Sequence, residues 1–242
     1  MYVKKHNVAC SFLGTLVVYE KYGDYNSKEG KKGVKQMKVL LVNGSPKSNG
    51  CTYTALEEVA KELNRNGIET EIFQLGADPV AGCIGCGVCL KTGKCFRNDL
   101  VNDFLEKAKE ADGFVFGSPV HFAAASGSLT GFLDRAFYGR GGLFAGKLGA
   151  AVVSCRRGGA SAAIDQINKY FSISNMPIVS SQYWNMVHGN TPEEVKQDLE
   201  GMQTMRTLGL NMAWLLRCID AGKKAGIALP EREAGVKTNF IR

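Results

Sequence analysis

From residue 37 onward the chain alternates short apolar runs with amphipathic stretches, and this alternation limits the fold more than any other feature. KVLLVNG reads as a first strand, and CTYTALEEVAKELNRNG answers it with Leu56, Val59, Ala60 and Leu63 on one helical face, closed by Gly67. IETEIFQL is a second strand. DLVNDFLEKAKEAD places Val101, Phe104, Leu105 and Ala108 on another helical face, and the apolar GFVFGSP suits a sheet centre. ASGSLTGFLDRAFYG, KLGAAVVSC, ASAAIDQINKYFS and MPIVSS continue as helix, strand, helix and strand. One long helix over 190–226 closes the series, with Thr191 as N-cap, Pro192 at its first position and Glu194 completing a capping box. Parallel neighbours need a crossover long enough to hold a helix, so units of this kind assemble around a parallel sheet.

Five strands and five helices in alternation imply an α/β fold of the flavodoxin-like type: a doubly wound five-stranded parallel sheet of order 2-1-3-4-5 in a three-layer αβα sandwich. The domain is expected over 37–225, followed by a mobile tail, 226–242. Residues 1–36 are Gly- and Lys-rich, without period after a short apolar stretch, and read as a flexible extension or the product of a mis-called start. An extra strand from GTLVVYE at a sheet edge is the alternative. The formal charge of +7 is concentrated there, since 1–36 carry a surplus of +4 and leave +3 for the rest. That is no footprint for nucleic acid. No apolar run approaches the roughly 20 residues of a membrane span. Four of the eight cysteines fall within thirteen residues, which points to metal or redox work in a reducing compartment, hence the cytoplasm.

Ligands of open parallel sheets bind beyond the carboxyl ends of the strands, where helix N-termini offer unpaired N–H groups to anions. NGSPKSNGCT occupies such a place. It lacks the Walker A spacing, with five residues between Gly44 and Gly50 and Cys51 where the lysine would stand, and the dinucleotide fingerprint is also absent. What remains is a hydroxyl-rich loop with Ser45, Lys47, Asn49, Cys51 and Thr52, suited to one dianionic phosphate, or else a plain strand-to-helix turn. A second loop follows the third strand. Pro119 stiffens it, Val120, His121 and Phe122 offer an apolar and aromatic edge, and the small residues 123–127 let a flat ring approach. The third loop, SCRRGGAS, brings Ser154, Arg156, Arg157, Gly158 and Gly159 to the same rim. Together they meet the requirements of FMN: phosphate, ring and ring edge.

MKVLLVNGSPKSNGCT, GSPVHFAAASGSLTGFLDRAF and the Gly-rich loop at 154–161 resemble the NADPH-dependent FMN reductase family over essentially all of 37–220. The resemblance implies an FMN-binding homodimer or homotetramer that passes electrons from NAD(P)H to a quinone, azo compound, free flavin or similar small acceptor. Ser45, Lys47 and Thr52 carry over to its phosphate loop. Cys51 stands where many members have Asn, and His121 where Tyr is usual, so those contacts differ in detail. His121 is the one plausible proton donor near the ring. His188 and Trp184 are candidates to wall the acceptor pocket across a dimer interface, with core packing the alternative for Trp184.

CIGCGVCLKTGKC has the spacing C-x2-C-x2-C-x5-C and resembles the compact motif of the iron–sulfur flavoproteins, which implies a [4Fe–4S] cluster on Cys83, Cys86, Cys89 and Cys95. Four reduced thiols lining a pocket are the alternative. Three functions stay open beside the reductase: an iron–sulfur electron carrier, a non-enzymatic FMN carrier, and a regulatory binding protein. The mild positive charge speaks against an acidic flavodoxin-type carrier.

Overall fold

The computed structural model describes residues 11–12, 15–16, 36–138, 140–234, 236 and 238. The chain divides into two units, 1–35 and 36–242. In the first, Ser11–Phe12 pairs antiparallel with Thr15–Leu16. The expected flexible extension and the remainder of the GTLVVYE strand lie outside the described residues.

The second unit is built on five parallel strands: β1 (Lys38–Asn43), β2 (Glu69–Gln74), β3 (Gly113–His121), β4 (Leu148–Cys155) and β5 (Met186–His188). They lie in the order β2-β1-β3-β4-β5, as the alternation implied. Successive side chains of a strand point to opposite faces. Leu40, Val42, Phe114, Phe116, Ala151 and Val153 therefore enter one core, and Val39, Leu41, Val115, Ala150 and Val152 the other. The first core is filled by aromatic rings beneath α3 (Leu100–Glu110), α4 (Gly127–Phe137) and α6 (Ala160–Ile173). The second is covered by α1 (Cys51–Arg65) and α8 (Leu199–Lys224). Short helices α2 (Val88–Thr92), α5 (Gly141–Phe144) and α7 (Pro192–Gln197) fill connections. The apolar positions read from α1 and α3 are all buried.

Two expectations are corrected. The fifth strand is Met186–His188 rather than MPIVSS, which contributes only an isolated bridge between Gly149 and Ile178. The bridge consists of the Gly149 N–H donating to Pro177 O at 3.0 Å and the Val179 N–H donating to Gly149 O at 2.8 Å, and Pro177 has no N–H with which to extend the ladder. The closing helix is two helices. Asp198 interrupts it, capping α8 by accepting from the Gly201 N–H at 2.9 Å and drawing the His188 N–H of β5 at 2.7 Å. A further short strand, Ala124–Ala125, folds back antiparallel on β3.

Candidate functional site

The first loop is folded by its own side chains. Asn43, buried at the end of β1, accepts from the Ser45 N–H at 3.1 Å and donates to Lys47 O at 3.2 Å and Gln74 Oε1 at 2.6 Å. Gln74 in turn donates to Ser45 O at 2.7 Å, and Ser45 Oγ accepts from the Lys47 N–H at 3.2 Å. The loop then enters α1 at Gly50, with no side-chain cap and no acidic residue in the first turn. Its first-turn N–H groups therefore have no side-chain cap. α6 begins in the same way, at Gly159. By contrast α3, α4 and α8 are capped by Asp99, Ser126 and Asp198. The two long helices without caps are the two that begin at the rim of the first and third loops.

The three loops meet. Pro119 is in register with Ser154, and Asn43 with Gly117. The Gly44 N–H donates to Gly117 O at 2.8 Å, and a Cβ on Gly44 would stand 2.7 Å from that oxygen, so the first two loops approach as only glycine allows. Ser126 Oγ donates to Gly44 O at 2.9 Å. Thr52 Oγ1 and Ser154 Oγ lie 2.8 Å apart in a buried pair, which joins the first loop to the third and leaves one of the two hydroxyl protons free to donate. A Cβ on Gly159 would fall 2.6 Å from Ala123 Cα, so the third loop lies against the second.

Lys47 and Asn49 are exposed over a depression of about 370 Å³ lined by residues 46–51 and closed by Asn190 and Pro192. Burial pushes the Cys51 thiol up, so it remains neutral and adds no negative charge there; its Sγ donates to Gly189 O at 3.6 Å. Arg156, Arg157 and Gly158 are exposed, and among the described residues neither arginine has a carboxylate at ion-pair distance. Pro119 and Val120 are half-buried. Beyond them Phe122 and Ala123 make a two-residue turn with φ of 51° and 58°, and the Phe122 ring is fully exposed. Such tandem positive angles cost energy in non-glycine residues and cluster where a ligand or partner is met. His121 is exposed at the start of this turn. His188 stands opposite Cys155 in the sheet register, its Nδ1 3.6 Å from Asp198 Oδ2. Trp184, 55% exposed and edge-on to Tyr183, is not core.

All four cysteines of the motif line one narrow recess of about 20 Å³, together with Ile84, Phe96, Arg97, Arg135 and Tyr138. They form no disulfide. Among the described residues no three His, Cys, Asp or Glu side chains converge closely enough for a single metal ion. A lone zinc would need its sulfurs about 3.8 Å apart, given a Zn–S bond of about 2.3 Å. A cluster seats each thiolate on a different iron, and four thiolates are the donor set it takes.

Cys95 is the most firmly held of the four. Its N–H donates to Asn102 Oδ1 at 2.9 Å, its carbonyl accepts from Asn102 Nδ2 at 3.0 Å, and its sulfur takes N–H donors from Arg135. Burial opposes the charge on Arg135 and on Asp99. Their mutual hydrogen bonds prevail, raising the Arg135 pKa further and holding the Asp99 carboxyl below the usual range. Asn43, Gln74, Asn190, Asn102, Asp99 and Arg135 were not found from the sequence. The nearest signal was Arg135 itself, which closes GFLDR within a stretch already singled out.

The rim thus gathers two uncapped helix N-termini, exposed cations and an exposed aromatic turn at the switch point of the sheet. Residues 37–191 match the NADPH-dependent FMN reductase family, and the chain belongs to it. It is 36% identical over 191 residues to an iron–sulfur flavoprotein of Methanocaldococcus jannaschii, covering 76% of this chain and 99% of that one. It is also 34% identical over 100 residues to an FMN-dependent NADPH-azoreductase of Staphylococcus saprophyticus, covering 41% of this chain and 52% of the other. Among solved structures, an archaeal flavodoxin superposes with a TM-score of 0.52 at 16% identity, over 75% of this chain and 99% of that one, a likeness of fold. No helix among the described residues is long and apolar enough to cross a membrane.

Proposed function

We propose that the protein is an iron–sulfur flavoprotein that takes electrons from NAD(P)H at FMN and exchanges them through a [4Fe–4S] cluster held by Cys83, Cys86, Cys89 and Cys95. The observation that carries this reading is the gathering of all four motif cysteines around one recess, in a chain so similar to an iron–sulfur flavoprotein. FMN would supply the exchange between two-electron and one-electron chemistry.

The residues divide the labour as follows. Ser45, Lys47, Asn49, Cys51 and Thr52, with the first N–H groups of α1, hold the phosphate. Pro119, Val120, His121 and Phe122 bound the ring, and His121 is the group able to move a proton at its edge. Ser154, Arg156, Arg157, Gly158 and Gly159 offer donors to the pyrimidine side, with one arginine left for a nicotinamide-nucleotide phosphate. The working form is a homodimer or homotetramer in the cytoplasm, with His188 and Trp184 walling the acceptor pocket at the subunit boundary.

A second reading has the same flavin site reduce a small acceptor such as a quinone or azo compound without a cluster. The fully exposed Phe122 beside the ring position and the likeness to an azoreductase favour it. An ultraviolet-visible spectrum of anaerobically isolated protein, with iron and acid-labile sulfide assays, separates the two. Broad absorption around the flavin bands with about four irons per chain is expected of the first. Flavin bands alone, with steady NADPH oxidation by a quinone, would establish the second.

A further inference from the structure

The motif singles out four cysteines, yet the structure treats one of them differently. Arg135 projects from α4 with its side chain only 2% exposed, a cation buried beside the cysteine recess. Nε and Nη2 each lie 3.4 Å from Cys95 Sγ. Nη1 and Nη2 lie 2.7 Å from the two carboxylate oxygens of Asp99, and Nη1 also reaches Ala81 O at 3.3 Å. A guanidinium has five N–H donors, and these five contacts engage all of them. Two are directed at a single sulfur.

A neutral thiol is a weak acceptor and does not require such a fork, whereas a thiolate ligand carries the negative charge that two charge-assisted donors would meet. The scaffold around the fork is rigid. α4 buries Leu129, Phe132, Leu133 and Ala136 in the core, and Asp99 is fixed as the cap of α3 by the Val101 N–H at 3.1 Å. Cys95 is clamped by Asn102 on both its backbone groups. Cys83 and Cys86 are exposed and have nothing comparable: Cys83 Sγ accepts one N–H, from Gly85, at 3.5 Å.

We propose that Arg135, held by Asp99, is a positioning residue that raises the reduction potential of a cluster in the cysteine recess through its two hydrogen bonds to the Cys95 sulfur. This rests on the reading of that recess as a cluster site. Each electron gained adds a negative charge to the thiolate-ligated group, and hydrogen bonds to its sulfurs favour the more negative state. The Asp99 carboxylate offsets the charge of the guanidinium at longer range and leaves the directional N–H contacts in place. The effect is therefore one of hydrogen bonding at one ligand sulfur.

The experiment is a dithionite titration of the cluster, followed by electron paramagnetic resonance, in anaerobically isolated wild-type protein and two variants. In R135M/D99N both charges are removed together, the Asn keeps the α3 cap, and no carboxylate is left unpaired. R135K keeps the charge and loses the fork. Iron, sulfide and FMN contents are measured on each sample. The double variant is expected to favour reduction about tenfold less, a fall of about 59 mV for a one-electron couple, and R135K to fall by less. Should the double variant not fold, the fall in R135K decides. Equal potentials in all three, with the cluster present, overturn the role of Arg135 and leave the cluster reading intact. A double variant without cluster beside an R135K with wild-type potential also overturns it, because the arginine is then merely structural. Wild-type protein with no iron or sulfide overturns both readings at once.

Discussion

The rim of the sheet and the cysteine recess are organised by opposite means. At the rim, backbone and side-chain bonds close every loop on another: Gly44 on Gly117, Ser126 on Gly44, Thr52 on Ser154, and Asn43 on Gln74. At the recess, the loop carrying Cys83 and Cys86 lies exposed, and the firm contacts gather at Cys95. A phosphate and a flat ring bind by shape and donors, which must be in place beforehand. A cluster supplies four covalent tethers, so its loop needs only one fixed point and takes its final form from the ligand. If the rim takes FMN and the recess a cluster, the first region recognises its ligand reversibly and the second assembles around it.

The contrast breaks most sharply at the cysteines. C86A, or C95A, is expected to lose nearly all cluster iron while keeping its FMN and fold, as iron, sulfide and flavin contents with a thermal melt will report. Loss of flavin in both variants would mean that the two regions are not separately built. The reverse substitution belongs at the rim. G44A drives a methyl into Gly117 O and Leu129, and a cost of about 1–3 kcal/mol is expected from forcing atoms into a packed site, read in urea unfolding, with weakened FMN binding. Iron content per folded chain should not change.

A smaller effect sharpens the rim side. Lys47 is exposed and carries the one cation of its loop, so K47Q removes a charge without removing the loop's own hydrogen bonds, which use its backbone N–H and carbonyl. A charge-assisted bond to phosphate contributes about 1.5 kcal/mol, so a roughly tenfold rise in the FMN Kd is expected by fluorescence titration. An unchanged Kd would assign the phosphate to the helix N-terminus alone.

Legibility in the sequence followed the range of the interactions. The sheet order, the faces of α1 and α3 and the three rim loops were readable because periodicity and Gly–Ser composition are local signals. β5 was misplaced because a three-residue edge strand has no period, while MPIVSS looks like a strand until the missing N–H of Pro177 is considered. The apolar face continues across Asp198, so nothing periodic announced the break before α8. The partners that complete each site lie far along the chain: Gln74 is 31 residues from Asn43, and Arg135 is 40 from Cys95. Only topology brings them together.

The mildest test lies in pH, where the two regions should weaken at opposite ends. Asp99 beside the recess has a folded pKa below its ordinary value of about 3.9, so the unfolded chain takes up its proton first as pH falls. Its contribution is fully present above about pH 5 and is lost progressively below pH 4 as the folded pKa is passed. At the rim, burial pushes the Cys51 and Cys155 thiols up, so the unfolded chain loses those protons first as pH rises. Their contribution is complete below about pH 8 and is lost as pH climbs through the raised folded values. Urea midpoints measured across this range should therefore show a plateau with a shoulder on each side. D99N should reduce the acid shoulder, to which the ion-paired Glu71 and Glu106 also contribute, and leave the alkaline one, whereas C51A should reduce the alkaline one alone. A single variant that altered both shoulders would mean that rim and recess share one electrostatic environment, against the division drawn from their hydrogen bonds.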